Sequence, residues 1–215
     1  MKIHHDTLCI DSNGNISDRL DLDDCVSIDV AKFDDFSKNR RQRRSVQSVL
    51  VRELLNASLY SDSKRGVDTS WTLNKLENGK PFLNGKNAPS ISISHSGDWC
   101  ACAVAKASVV GVDIETIKSR NWDAYCKDIF HPEESKWVLA VVGFERDARA
   151  LICWCRKEAI VKALGVGLSV PLSEIGFSSE GNLIKFPKEL GDPFGWRFFS
   201  RVIVGQVVVA AAWKS

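Results

Sequence analysis

The sequence predicts an α+β fold of two similar, pseudo-symmetric lobes, each a helix packed on a small, mainly antiparallel sheet. Three observations predict it. Runs such as Ser90-Ile-Ser-Ile-Ser-His95 and Trp99–Ala105, bounded by turns, read as strands. Apolar residues at helical spacing mark two long helices, over 44–58 and over Asp147–Leu164. Sliding the chain by 108 residues then sets Gly97-Asp-Trp-Cys-Ala-Cys-Ala-Val-Ala-Lys106 on Gly205-Gln-Val-Val-Val-Ala-Ala-Ala-Trp-Lys214 without a gap. At a similar offset Leu50–Leu54 meets Ile160–Leu164. Three identities are also what two unrelated α+β stretches can give, so lobes over 1–107 and 108–215 stand as an expectation.

Taken in chain order, residues 18–35 carry seven Asp before the charge reverses at Lys38-Asn-Arg-Arg-Gln-Arg-Arg44. Val46, Val49, Leu50, Leu54 and Leu55 follow at helical spacing, with Asn56 as the expected stop and a loop over 61–66. Asn78-Gly79-Lys80-Pro81 is a turn, because Gly permits positive φ and Pro fixes the exit. Ser90–His95 is a half-buried strand, Ser96-Gly97-Asp98 turns the chain, and Trp99–Ala105 returns. Val109–Glu115 is a further strand, apolar at its start and acidic at its end. Pro132 suits a first helical position, with Glu133 and Glu134 favourable to the helix dipole. Gly165 is placed to end the second long helix. Strands around Leu183–Phe186, Trp196–Val204 and Val207–Trp213 close the chain, the last two joined by a Gly205-Gln206 turn.

Composition narrows the class. The 215 residues are 44% hydrophobic and 26% charged, globular values that exclude wholesale disorder. Lys and Arg number 29 against 27 Asp and Glu, a balance that disfavours a nucleic-acid coat. No run approaches the roughly 18 apolar residues of a membrane span, and the first residues lack a signal-peptide core, so neither membrane nor export is expected. The seven cysteines include Cys100/Cys102 and Cys153/Cys155, spaced by one residue, which fits neither a CxxC redox motif nor zinc. They read as reduced, mostly buried small residues of a cytoplasmic protein.

Several residues can carry chemistry. Asp113 and Glu115 lie two apart on a strand, so both carboxylates point to one side, where like charges need a cation between them. Carboxylate oxygens with water suit Mg²⁺, although a solvated strand end explains such a pair equally well. Glu158 and Lys162 share a helix face with Trp154, either as an ordinary ion pair or as the lining of a cleft. His95 between Ser94 and Ser96 at a turn offers an imidazole, hydroxyls and amides to an anion, or is simply structural. Lys80 and the bases Arg40, Arg41, Arg43 and Arg44 are further anion candidates, the basic run being as readily a solvated face. A serine hydrolase is excluded for want of a GxSxG elbow.

The order Gly79-Lys-Pro81, Ser94-His-Ser96, Gly111-Val-Asp-Ile-Glu115, Trp154-x-x-Lys-Glu-Ala-x-x-Lys-Ala-x-Gly-x-Gly-Leu168 resembles the 4′-phosphopantetheinyl transferase superfamily. Its length resembles the two-lobed surfactin-synthetase-activator type rather than the small trimeric holo-acyl-carrier-protein synthase. The resemblance is strong over residues 78–172 and fainter over 43–54. It implies that Asp113, Glu115 and Glu158 hold Mg²⁺ together with the pyrophosphate of coenzyme A, which Lys162 also contacts. It further implies that Ser94 and His95 hold coenzyme A phosphate, that Lys80 and Pro81 line the adenine pocket, and that Arg43 or Arg44 reaches the 3′-phosphate.

The implied reaction moves 4′-phosphopantetheine from coenzyme A to a serine of an apo acyl, peptidyl or aryl carrier protein and releases 3′,5′-ADP. Lys162 would neutralise pyrophosphate charge, and Glu158, or second Glu115, would take the serine proton. Trp154 is followed by Cys155 where many relatives have a hydroxyl residue, a departure from which no catalytic consequence is expected. Basic residues near the cleft, Arg156 or Lys118, are candidates for meeting an acidic carrier. The expected form is a monomeric cytoplasmic enzyme with no nucleic-acid or membrane partner. The alternative is a coenzyme A-binding or carrier-docking protein without transferase activity.

Overall fold

The computed structural model describes residues 9–10, 16–23, 25–32, 40–63, 71–106, 109–167 and 169–214. Strands β1 (Cys9–Ile10), β2 (Ile16–Asp23) and β3 (Val26–Lys32) precede helix α1 (Arg40–Ser63). A small hairpin, β4 (Thr72–Lys75) and β5 (Pro81–Asn84), leads into β6 (Ser90–Ser96) and β7 (Trp99–Ala105). Strand β8 (Val109–Thr116) is followed by α2 (Trp122–Ile129), α3 (Pro132–Leu139) and α4 (Gly143–Leu164). The short pair β9 (Gly176–Phe177) and β10 (Leu183–Lys185) comes before the hairpin of β11 (Trp196–Ile203) and β12 (Val207–Lys214). The fold is α+β, with every strand pair antiparallel.

Two sheets form the core. One has the order β1-β2-β3-β7-β6, the other β11-β12-β8. Strands β7 and β12 are buried over Trp99–Ala105 and Val207–Trp213, so both of their faces are covered. Period-two geometry assigns the faces. Trp99, Ala101, Ala103 and Ala105 share one cluster with Val207, Val209, Ala211 and Trp213, sheet against sheet. Cys102 and Val104 instead meet Leu55 and Leu59 of α1, while Val208 and Ala210 meet Leu151, Ile152 and Cys155 of α4. Helix, sheet, sheet and helix are thus stacked in that order.

The hairpin of each half places its second strand centrally: β7 lies between β3 and β6, and β12 lies between β8 and β11. The described part of the acidic stretch lies in the β2–β3 hairpin, where the Arg19 guanidinium reaches Asp21 and Asp29, each at 3.3 Å, and the Ser27 hydroxyl at 3.0 Å. Cys25, Cys100, Cys102, Cys126, Cys153 and Cys155 are free thiols, Cys25 exposed and the other five buried.

Several element ends differ from the sequence reading. Helix α1 begins at Arg40, so the arginines at 40, 41, 43 and 44 fall in its first turns, and it continues past Asn56 to Ser63. Leu55 and Leu59, four apart and both buried, carry the helix beyond an exposed Asn of only mildly unfavourable propensity. The rest of the expected 61–66 loop lies outside the described residues. Helix α4 begins at Gly143 rather than Asp147, which lies within it, turned inward as an acceptor for Trp122 Nε1 at 2.7 Å. The last hairpin pairs Ile203 with Val207, so its loop is Val204–Gln206 rather than two residues. Val204 takes φ 43° and Gly205 φ 64°, and the Gln206 N–H donates to the Ile203 carbonyl at 2.9 Å. Strand β6 is not half-solvated either, since Ser92 and Ser94 on its polar face are buried.

One glycine sets the approach of the main helix. A Cβ at Gly111 of β8 would fall on the Ala159 carbonyl and lie 2.6 Å from the Ala163 nitrogen. Only glycine lets α4 lie this close to β8, and that closeness brings Glu158 and Lys162 to the strand's acidic end.

Candidate active site

Asp113 and Glu115 leave β8 on the same side, as a strand period of two requires. Asp113 is 4% exposed. Its Oδ1 accepts from Lys162 Nζ at 2.6 Å and from Ser94 Oγ at 2.9 Å, while Lys162 Nζ also donates to Ser94 Oγ at 2.8 Å. Its Oδ2 is buried and has no hydrogen-bond partner. Glu115 Oε2 accepts from Ser96 Oγ at 2.9 Å and lies 3.9 Å from the Arg120 guanidinium. Glu158 stands on α4 one turn before Lys162, on the same face.

Electrostatics follow from this crowding. Burial pushes the Glu158 carboxyl above its ordinary range, and the charges of Asp113 and Glu115 push it further while Lys162 opposes them. Glu115 is likewise raised, first by burial and then by Asp113, against the Ser96 hydrogen bond, Arg120 and Lys162. Three carboxylates therefore share one wall with too little positive charge to balance them. Among the described residues no three such side chains stand at metal-holding distances, the Lys162 ammonium lying directly on Asp113. The donors nonetheless suit a hard divalent cation: all are carboxylate oxygens, and Asp113 Oδ2 has unspent lone pairs.

A cavity of about 450 Å³ opens beside this cluster, lined by Lys80, Pro81, Ser94, His95, Glu158 and Lys162 among others. The β4–β5 turn forms one side of it. Lys80 Nζ donates to the Ala163 carbonyl, and Asn78 Nδ2 donates to the Gly165 carbonyl at 2.7 Å, so this turn caps the C-terminus of α4. Burial holds the Lys80 ammonium below its ordinary pKa. Gly79, at φ 83°, turns the chain there, and Gly165, at φ 70°, ends the helix beneath it. The Ser94 hydroxyl donates to Asp113, and His95, exposed at the end of β6, lines the cavity beside it.

Arg43 and Arg44 lie in the first turns of α1, but their side chains fall outside the described residues. The same end of the helix is fixed by Gln47, whose Nε2 donates to the Gly97 carbonyl at 2.6 Å, two residues beyond His95. Arg156 is not near the cleft. It faces the opposite side of α4, where its Nε donates to Ser200 Oγ at 3.1 Å and where it lines a second cavity of about 520 Å³ with Trp137, Phe144 and Arg149. That cavity holds none of the carboxylate cluster. The helix period is the reason: Arg156 is rotated about 160° from Glu158 at roughly 100° per residue.

Three contributions escape sequence reasoning. Gln47 carries no motif. The hydroxyls of Ser92, Ser94 and Ser96 accept from the Val112, Ile114 and Thr116 amides of β8 at 3.0, 3.4 and 3.1 Å. The alternating serines were the available signal, though nothing local says what they face. Lys157, within the Trp154–Leu168 stretch, forms a fully buried pair with Glu134 at 2.5 Å. Glu134 also accepts from the His131 and Phe177 amides at 2.8 and 3.1 Å, and Lys157 Nζ donates to the Ile129 carbonyl at 2.6 Å.

Residues 109–212, which carry Asp113, Glu115, Glu158 and Lys162, match the family model described as the 4′-phosphopantetheinyl transferase superfamily. Over that segment the chain is similar to this superfamily, and transferases of Bacillus are its homologues. A Bacillus subtilis protein named 4′-phosphopantetheinyl transferase is 35% identical over 137 residues, covering 64% of this chain and 58% of its own. The 4′-phosphopantetheinyl transferase Sfp of Bacillus subtilis (strain 168) is 31% identical over 137 residues, with the same coverage of 64% and 58%. The chain thus spans a little over half the length of these relatives. A solved structure described as "Chronobacterium ammoiniagenes apo-ACPS structure" aligns at a TM-score of 0.34 and 16% identity, over 51% of this chain and 98% of that chain, a superposition too loose to carry weight.

Proposed function

We propose that the chain is a 4′-phosphopantetheinyl transferase that moves the phosphopantetheine arm of coenzyme A onto a serine of an apo acyl, peptidyl or aryl carrier protein. The observation that carries the reading is the meeting of Asp113, Glu115, Glu158 and Lys162, from β8 and α4, beside a cavity that also takes in Lys80 and His95. The match of residues 109–212 to the superfamily supports it.

In this reading Asp113, Glu115 and Glu158 hold Mg²⁺, which when bound supplies charge neutralisation at the coenzyme A pyrophosphate. Lys162 leaves Asp113 for a pyrophosphate oxygen and counters the charge that collects on the departing 3′,5′-ADP. The carrier serine oxygen forms its bond to the β-phosphorus as the bond to the 3′,5′-ADP oxygen breaks. The serine proton passes to Glu158, which lines the cavity. Glu115 is the second candidate. His95 and the backbone beside Ser94 hold phosphate, Lys80 and Pro81 face the adenine, and Arg43 or Arg44 reaches the 3′-phosphate.

We also read residues 1–107 and 108–215 as two lobes, supported by the shared strand order β3-β7-β6 and β8-β12-β11. The protein would act as a cytoplasmic monomer, where reduced thiols persist. No helix among the described residues is long and apolar enough to cross a membrane.

The test is Mg²⁺-dependent labelling of an apo carrier from a fluorescent coenzyme A. Labelling by the wild type and its loss in Asp113→Ala are expected. No labelling by the wild type over a broad carrier panel, or undiminished labelling by Asp113→Ala, would overturn the reading. Tight coenzyme A binding without turnover would favour a docking protein instead.

A further inference from the structure

We propose that Ser96 is a positioning residue for Glu115: a hydroxyl from strand β6 of one sheet aims a carboxylate on strand β8 of the other. The inference rests on the reading above, in which that carboxylate helps to hold a divalent cation.

A serine hydroxyl has one proton to give and lone pairs to accept with. Ser92, Ser94 and Ser96 point from β6 to the outer edge of β8, and each accepts one of its amides: Val112 at 3.0 Å, Ile114 at 3.4 Å and Thr116 at 3.1 Å. Each therefore keeps its proton to give. Ser94 gives it to Asp113 Oδ1 and Ser96 gives it to Glu115 Oε2, both at 2.9 Å. In each case the serine grips the carboxylate of one residue and the backbone amide of the next, so side chain and strand are fixed together. An amide donating into the hydroxyl also polarises it and strengthens the bond it makes to the carboxylate.

Ser92 supplies the internal comparison. It makes the same amide contact, but Gly111 precedes Val112 and has no side chain to aim. The Ser96 end is further closed by Thr116, whose Oγ1 donates to the Ser96 carbonyl at 3.2 Å, and by the turn at Gly97, where a Cβ would come within 2.9 Å of Thr116 Oγ1. Ser94 also takes the Lys162 ammonium, so its removal would disturb two things at once. Among the described residues the Ser96 hydroxyl meets the side chains of Glu115 and Thr116 and not the Lys162 ammonium, which isolates the positioning role.

The experiment uses the full chain and Mn²⁺ binding followed by electron paramagnetic resonance without coenzyme A, beside the Mg²⁺ dependence of transfer. Ser96→Ala is expected to weaken Mn²⁺ binding about 10- to 100-fold, the range for losing an outer-shell partner, and to raise the Mg²⁺ needed for half-maximal transfer by a similar factor. Ser96→Thr, which keeps the hydroxyl, restores both to within about threefold, and the KM for coenzyme A moves little. Ser92→Ala lowers Tm comparably but leaves Mn²⁺ affinity within about twofold. Should Ser96→Ala fail to fold, Ser96→Cys keeps the volume with a weaker donor and is expected to show an intermediate loss.

Wild-type affinity in Ser96→Ala, or in Ser96→Cys where that variant stands in, overturns the inference, as does an equal loss in Ser92→Ala. If the wild type transfers normally in those cases, the transferase reading survives. A wild type that neither binds Mn²⁺ nor labels a carrier removes both.

Discussion

Helix α4 carries two lysine–carboxylate pairs five residues apart that behave as opposites. Lys157 and Glu134 are 0% and 1% exposed, and both carboxylate oxygens and the ammonium have further partners in the backbone. The side chains of Lys162 and Asp113 are 31% and 6% exposed, and one buried carboxylate oxygen has no hydrogen-bond partner. The first pair is closed: burial pushes Glu134 up and Lys157 down, but four polar contacts, one between the two and three to the backbone, hold them in place. The second is open at one oxygen and on its solvent side. A satisfied buried pair fixes structure, whereas an unsatisfied one is poised to take another cation.

The comparison can be broken first at the closed pair. Lys157→Met removes one charge and strands Glu134, which is expected to cost about 3–5 kcal/mol and to show as a sharp loss of Tm. Adding Glu134→Leu should return most of that stability. A double variant no more stable than Lys157→Met would mean that the lysine acts through something other than its charge.

Next in size is Gly111→Ala, which forces α4 away from β8. It should cost about 3 kcal/mol and also abolish transfer, because Glu158 and Lys162 move with the helix. Denaturant unfolding and the labelling assay together test this, and a stable, active variant would sink the close-approach account.

The two glutamates beside the open pair predict the reverse sign. Glu115 and Glu158 bind protons more tightly when folded than when unfolded, so their contribution to stability is present at low pH and lost as pH rises through their raised values. Glu158→Gln should therefore raise the Tm near pH 8 while eliminating transfer. Its Tm should also vary less between pH 5.5 and 8 than that of the wild type. A lower Tm at pH 8 would contradict the charge imbalance.

The smallest effect lies far from both pairs. Val204 is a β-branched residue at positive φ, and Val204→Asn should stabilise the last hairpin by about 1 kcal/mol without touching activity. Thermal unfolding with an unchanged transfer rate is the check.

How far each feature could be read locally depends on where its partners lie. The strand placing Asp113 and Glu115 on one side, the helix sharing Glu158 and Lys162, and the glycine that ends it were all legible, because each depends on a period or a cap within a few residues. The length of α1 was not, since Leu55 and Leu59 pack against β7, more than 40 residues away in the chain. The Val204 loop was missed because a valine is a poor indicator of positive φ.

The sequence by itself determined which side chains stand together on each element: two carboxylates on β8, a glutamate and a lysine on α4, three serines on β6. Only the tertiary structure decided what they meet. It turned the serines toward β8 instead of solvent, spent Lys80 on the end of α4, and set Arg156 on the far side of that helix. Local periodicity specifies a face, but the partner of that face comes from a strand or helix distant in the chain, and the packing of the two sheets alone chooses it.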